Sequence, residues 1–128
     1  MTRREIRLER YDWRVIFYIG YTGADGVYLC QCLTEMGCRG STLRNAYDHF
    51  LRGGECSGLT FSNVNERVSI VAIGASEEQC DVINTIGHEL LHVVAHVCER
   101  NGIDMLDEEP CYMLGELCEK LFKILKEE

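Results

Sequence analysis

The run Gly87-His88-Glu89-Leu90-Leu91-His92 places two imidazoles four residues apart with a carboxylate beside the first, and His96 follows one turn later. On a helix of about 100° per residue, with His88 at zero, His92 falls near 40°, His96 near 80° and Glu89 near 100°. The four polar groups therefore share one side. Two imidazoles at this spacing suit two zinc–nitrogen bonds of about 2.0–2.1 Å, and the adjacent glutamate can hold a metal-activated water. The predicted chemistry is hydrolytic: the ion acidifies water and polarises the carbonyl under attack, and Glu89 acts as general base, passing the proton to the leaving amine. A lone buried histidine is ordinarily satisfied by a core carbonyl or carboxylate. Here the rest of the helix is Leu90, Leu91, Val93, Val94, Ala95, Val97 and Cys98, a sequence read as buried almost all round, and a polar stripe inside it calls for a metal. His96 is not expected to share the ion with His88, because eight helical residues separate their backbones by about 12 Å; a satisfied or solvated histidine is the expected state, with a supporting or transition-state role as the lesser alternative.

A catalytic zinc takes three protein ligands, and the third is sought in Asp107-Glu108-Glu109-Pro110-Cys111-Tyr112-Met113-Leu114-Gly115-Glu116. On the wheel of that segment Glu108 lies with Tyr112 and Gly115 at the border of the apolar face, whereas Glu109 lies among Glu116, Lys120 and Lys123 on the polar side. Glu108 ranks first, Glu109 second and Glu116 third. A plain antiparallel helical hairpin sets Glu116 opposite His92, so Glu108 requires a loop that carries the chain back, and five residues can span up to about 17 Å.

The elements that must position these groups follow in order. Trp13, Val15, Phe17 and Ile19 alternate with Arg14, Ile16 and Tyr18, a period of two that predicts a strand with one face strongly buried. Turn residues 22–26 lead to a short helix over Val27–Met36 that stops at Gly37. Ser41 is the expected N-cap of a second helix with Leu43, Ala46, Tyr47, Phe50 and Leu51 at helical spacing, closed by Gly53-Gly54. Leu59–Ser62 and Val68–Ile73 read as a β-hairpin in the same sheet. Ser76 with Gln79 forms a capping box that starts the third helix, with Glu77 and Glu78 favoured at its positive end, and Gly102 supplies a left-handed stop. Asp107 caps a fourth helix that tolerates Pro110 in its first turn and carries Leu114, Leu117, Cys118, Leu121, Phe122 and Leu125 on one face. The order β-α-α-β-β-α-α predicts a single α+β domain over residues 1–128, with a small mixed or antiparallel sheet of about three strands packed on helices.

Composition narrows the partners. The net charge of −8 is uneven: thirteen acids face four bases from Ser76 onward, and eight face nine before it. An acidic surface around the histidines argues against nucleic acid, and the arginines of Met1–Arg10, interleaved with Glu5 and Glu9, read as a solvated arm. With no apolar run behind the N-terminal charges and no segment of membrane-spanning length, a cytoplasmic protein that does not contact membranes is expected. Eight cysteines, none in Cys-x-x-Cys, read as reduced, mostly buried small hydrophobes. A zinc site from Cys30, Cys32, Cys38 and Cys56 is the lesser alternative, since the spacing matches no common zinc ribbon.

His88-Glu89-Leu90-Leu91-His92 resembles the HExxH motif of zincin metallopeptidases. Ala95 and Cys98 stand where a metzincin has Gly and His, so a downstream glutamate on another helix looks like the gluzincin arrangement. More closely, Ser69–Gly74 leading into Thr85–Glu89, then Gly102-Ile103 and Glu108–Gly115, is similar to small uncharacterised zincin-like proteins of bacterial and phage origin. Cys111 stands where those tend to have a small residue such as alanine, and the likeness covers roughly Ser69 to Leu117. The resemblance implies a minimal zincin-like metallopeptidase fold, Zn2+ on His88, His92 and Glu108, a peptide or protein substrate, and Val68–Ile73 as the strand against which an extended peptide pairs. It implies no particular substrate. The rival expectation is a catalytically inactive, zinc-stabilised interaction module of a phage or mobile element, favoured by a short chain with no lids or long insertions.

Overall fold

The run from Trp13 to Tyr21 is apolar at almost every position, which suits a strand covered on both faces. In the computed structural model, which describes residues 1–52 and 57–127, it is strand β2 (Trp13–Tyr21). It follows β1 (Thr2–Leu8) and precedes helices α1 (Gly26–Glu35) and α2 (Gly40–Arg52). The hairpin strands β3 (Gly58–Asn63) and β4 (Val68–Gly74) come next, then α3 (Gln79–Asn101) and α4 (Glu108–Lys126). The class is α+β, and the sheet is mixed with four strands, not three, in the order β1-β2-β4-β3. The hairpin β3/β4 is antiparallel, β2 and β4 run parallel, and β1 pairs antiparallel with β2.

The additional strand is the N-terminal segment read above as a solvated arm. Only Ile6 and Leu8 of β1 are buried, while Arg3, Glu5 and Arg7 point outward. Arg14 bonds Glu5 at 3.0 Å across the pair. An edge strand with a charged outer face is a common protection against edge-to-edge association, and its sparse apolar pattern hides it from a periodicity argument.

Alternation in the two central strands sorts their side chains into two cores. Val15, Phe17, Val71 and Ile73 pack against Leu90, Val93, Val94 and Val97 of α3 and against Met113, Leu117 and Leu121 of α4. Ile16, Tyr18, Ile70 and Ala72 pack against Leu29 and Leu33 of α1 and Ala46 and Phe50 of α2. The expectation of one buried face on β2 is thus corrected to two, because helices cover the sheet on both sides; all seven residues of β4 are buried for the same reason.

Several local expectations shift. The helix α2 starts at Gly40, at φ +60°, one residue ahead of Ser41. Ser76 does not cap α3: its Oγ accepts the Glu78 N–H at 3.2 Å, which turns the chain before the helix opens at Gln79. A serine bonded to the amide two residues on is the local competitor of a helix start. The stop at Gly102, φ +66°, is observed, and Asp107 occupies the N-cap position of α4 without a side-chain cap bond. On α4 the buried face is Pro110, Met113, Leu117 and Leu121, while Cys118 and Phe122 are exposed. Gly53 and Gly54, expected to close α2, lie outside the described residues. No helix among the described residues is long and apolar enough to cross a membrane.

Candidate metal centre

One face of α3 builds the site. Leu90, Val93, Val94 and Val97 anchor the helix in the core, and this leaves His88, Leu91 and His92 exposed and His96 half-buried. The helix is amphipathic, not buried all round as its composition suggests. The imidazoles of His88 and His92 lie one above the other with ring centroids 5.0 Å apart. One ligand atom from each of His88, Glu89 and His92 lies within 4.8 Å of the others. Two nitrogens on a tetrahedral zinc stand about 3.4 Å apart, so rotation of exposed side chains brings this pair to a common ion. Two imidazoles and a carboxylate are a donor set that zinc accepts, and the residues fit the group the sequence implies.

Glu89 contrasts with the two histidines. It is 5% exposed and accepts a hydrogen bond from Thr60 Oγ1 at 2.9 Å; the same hydroxyl reaches the Glu89 carbonyl at 3.3 Å. A buried carboxylate held by a β-strand hydroxyl is fixed in direction, and its other oxygen lies 3.8 Å from His88 Nε2. Strand β3 supplies this support through its period of two. Leu59 and Phe61 turn toward the α1/α2 core, whereas Thr60 and Ser62 bond Glu89 and His96 of α3.

Gly58 begins the same alternating set and is required by close approach. A Cβ there would stand 2.6 Å from Thr85 Cγ2 and 2.8 Å from Glu89 Oε2. Gly58→Ala is therefore expected to lower stability by about 1–3 kcal/mol through overpacking and to displace the Glu89 carboxylate. Urea unfolding measures the first effect; full stability in the variant contradicts the close packing.

His96 ends a buried chain of polar groups. Trp13 Nε1 donates to Ser69 Oγ at 2.9 Å, the Ser69 and Ser62 hydroxyls are 2.6 Å apart, and Ser62 Oγ is 2.6 Å from His96 Nδ1. The indole can only donate. The Ser62 and Ser69 hydroxyls can each donate or accept, so the direction of the chain follows the tautomer of His96. Burial, and after it the neighbouring His92, holds the His96 pKa below the ordinary histidine value, consistent with a neutral ring.

The glutamates of α4 are elsewhere. Among the described residues, the metal-capable group contains none of Glu108, Glu109 and Glu116. Glu109 accepts the Tyr11 hydroxyl at 2.5 Å and pairs with Arg10 at 3.2 Å. Burial and that bond raise the Tyr11 pKa to about 12. Glu116 pairs with Lys120 at 3.0 Å, and Glu108 is exposed at the first position of α4. The cause is the sheet order. Helix α4 packs on β1, at one edge, and the histidine stripe faces β3, at the other.

A cavity of about 520 Å³ opens over the stripe, lined by residues of α2, β3 and α3 that include Thr42, Asn45, His49, Thr60, Glu89 and His92. His49 and Thr60 are the site residues that the sequence pattern misses. The available signals are the spacing Thr42, Asn45 and His49 on one face of an amphipathic helix, and the alternation Gly58, Thr60 and Ser62 in a strand otherwise read for its apolar face.

The seven cysteines among the described residues are free thiols, with Cys38 and Cys98 buried but Cys80, Cys111 and Cys118 exposed, so burial is not general. No cysteine belongs to a metal-capable group among the described residues, and Cys56 of the four-cysteine alternative lies outside them. No protein-family model, curated protein or solved structure matches the chain.

Proposed function

We propose that the chain is a zinc-dependent hydrolase of peptide or amide bonds, a minimal zincin-like metallopeptidase in which His88 and His92 bind the metal and Glu89 is the general base. The observation that carries this reading is the contrast within one helical turn: a buried, hydrogen-bonded Glu89 carboxylate beside two exposed imidazoles, with ligand atoms within 4.8 Å. Zinc, when bound, supplies Lewis acidity that polarises a carbonyl and acidifies water. Glu89, aimed by Thr60, takes the proton of the attacking water and delivers it to the leaving amine.

The place for the substrate changes from the strand the resemblance implied. Val68–Ile73 belongs to β4, an interior strand flanked by β2 and β3, so its edges are already paired. Of the two edge strands, β1 and β3, it is β3 whose Gly58, Leu59 and Thr60 line the cavity. An extended peptide added to that edge, held by main-chain hydrogen bonds, passes along the wall that carries Glu89.

Protein purified without chelator is expected to carry about one zinc per chain, as a single site of this type holds one ion. Removing it with a strong chelator should abolish cleavage of an unfolded protein substrate, and added zinc should restore it. Elemental analysis that finds no bound transition metal, or cleavage indifferent to chelation, contradicts the proposal.

A further inference from the structure

The chain has four histidines, and all of them line the one cavity. Three stand on α3, and His49 comes from α2, in the helical layer on the other side of the sheet. Among the described residues its Nε2 is the buried side-chain polar atom without a hydrogen-bond partner. A buried imidazole nitrogen without a partner is unfavourable, because it gives up its bond to water and gains none in return. The other buried polar groups of the cavity are matched: Glu89 has Thr60, and His96 has Ser62. The residue that carries the unmatched nitrogen and the incomplete ligand set therefore line the same cavity.

We propose that His49 Nε2 is the third protein ligand of the metal, completing a three-histidine site with His88 and His92 and leaving Glu89 free as the base. The inference rests on the metal-site reading given above and deepens it by replacing a glutamate of α4 with a histidine of α2. Three observations select His49 over the other candidates. The glutamates of α4 are absent from the group and Glu109 and Glu116 are engaged in their own pairs. The backbone of His96 lies about two helical turns from that of His88. Among the described residues His49 alone offers a buried nitrogen with no partner, on a helix whose Thr42, Asn45 and His49 line the cavity.

His49 stands outside the 4.8 Å group formed by α3 alone. An ion held by all three imidazoles links the two helical layers across the β3 edge. Three imidazoles with an open fourth position form the arrangement of a catalytic site, not a closed structural one. The thermal midpoint should accordingly rise on zinc addition, and by less when His49 is removed.

The test measures zinc affinity by competition with a chromophoric chelator, and counts imidazoles by X-ray absorption, on the full chain. His49→Ala and His49→Gln are each expected to weaken zinc by more than about 100-fold, beyond the 10–100-fold typical of losing a supporting partner. They should also lower the imidazole count from three to two. His49→Cys, which restores a ligand atom, is expected to recover affinity. If the alanine variant does not fold, the glutamine and cysteine variants decide by the same contrast. Unchanged affinity and unchanged coordination in His49→Gln overturn the assignment of His49 while leaving the His88/His92 site in place. If the unaltered protein binds no zinc, it is the preceding functional reading that fails.

Discussion

Glu89→Gln is expected to lower peptide hydrolysis by about 10²–10⁴-fold, the contribution of a positioned general base, while zinc stays bound. Glutamine has the shape of glutamate, and its carbonyl oxygen can still accept the Thr60 hydroxyl that reaches Glu89 at 2.9 Å. What it lacks is a basic oxygen for the proton of water. The imidazoles of His88 and His92 are untouched, so metal content measured alongside kcat/KM separates the two roles the carboxylate could have. Equal loss of zinc and activity makes Glu89 a ligand in place of a base, and retained activity removes it from the chemistry. A variant that keeps zinc and every cellular phenotype favours a zinc-stabilised interaction module over an enzyme.

Trp13→Ala is expected to cost about 3–5 kcal/mol of stability, the range for emptying a large buried aromatic site. Trp13 is 0% exposed and packs in the core between the sheet, α3 and α4. Its indole N–H also donates to Ser69 Oγ at 2.9 Å, and Ser69 is itself fully buried. The loss therefore combines a cavity with a hydroxyl deprived of its donor. A domain holds only about 5–15 kcal/mol in total, so the variant should unfold at markedly lower urea, or lose its cooperative transition. Trp13→Phe separates the contributions, since it keeps most of the volume and gives up the hydrogen bond, at about 1–2 kcal/mol. Because the chain of bonds runs from Ser69 through Ser62 to His96, the same variants should loosen the His96 ring at the cavity. A destabilisation under about 1 kcal/mol in Trp13→Ala contradicts the packing described.

What could be read from the chain without its fold was everything set by short-range spacing. The neighbouring pair His88/His92 with Glu89 beside it follows from 3.6 residues per turn, whatever the helix packs against. The stop at Gly102, the hairpin β3/β4 and the apolar face of α2 are equally local, since a glycine at positive φ and alternating hydrophobicity act within a few residues. Local pattern misled where two signals compete at one position. Ser76 bonds the amide of Glu78 instead of capping a helix, and β1 shows too few apolar residues to announce itself.

The sequence by itself thus determined a helix with two metal-capable histidines and a carboxylate on one side. Only the tertiary structure decided which side meets the cavity and what stands opposite it. Burial of Leu90, Val93, Val94 and Val97 orients α3, and the order β1-β2-β4-β3 sends α4 with its glutamates to one edge and leaves β3 at the other. That order depends on which strands pair across long stretches of chain, an outcome of the whole core and not of any segment. It is why Glu108, some sixteen residues after His92, stands apart from the site. It is also why His49, almost forty residues before His88, lines the same cavity.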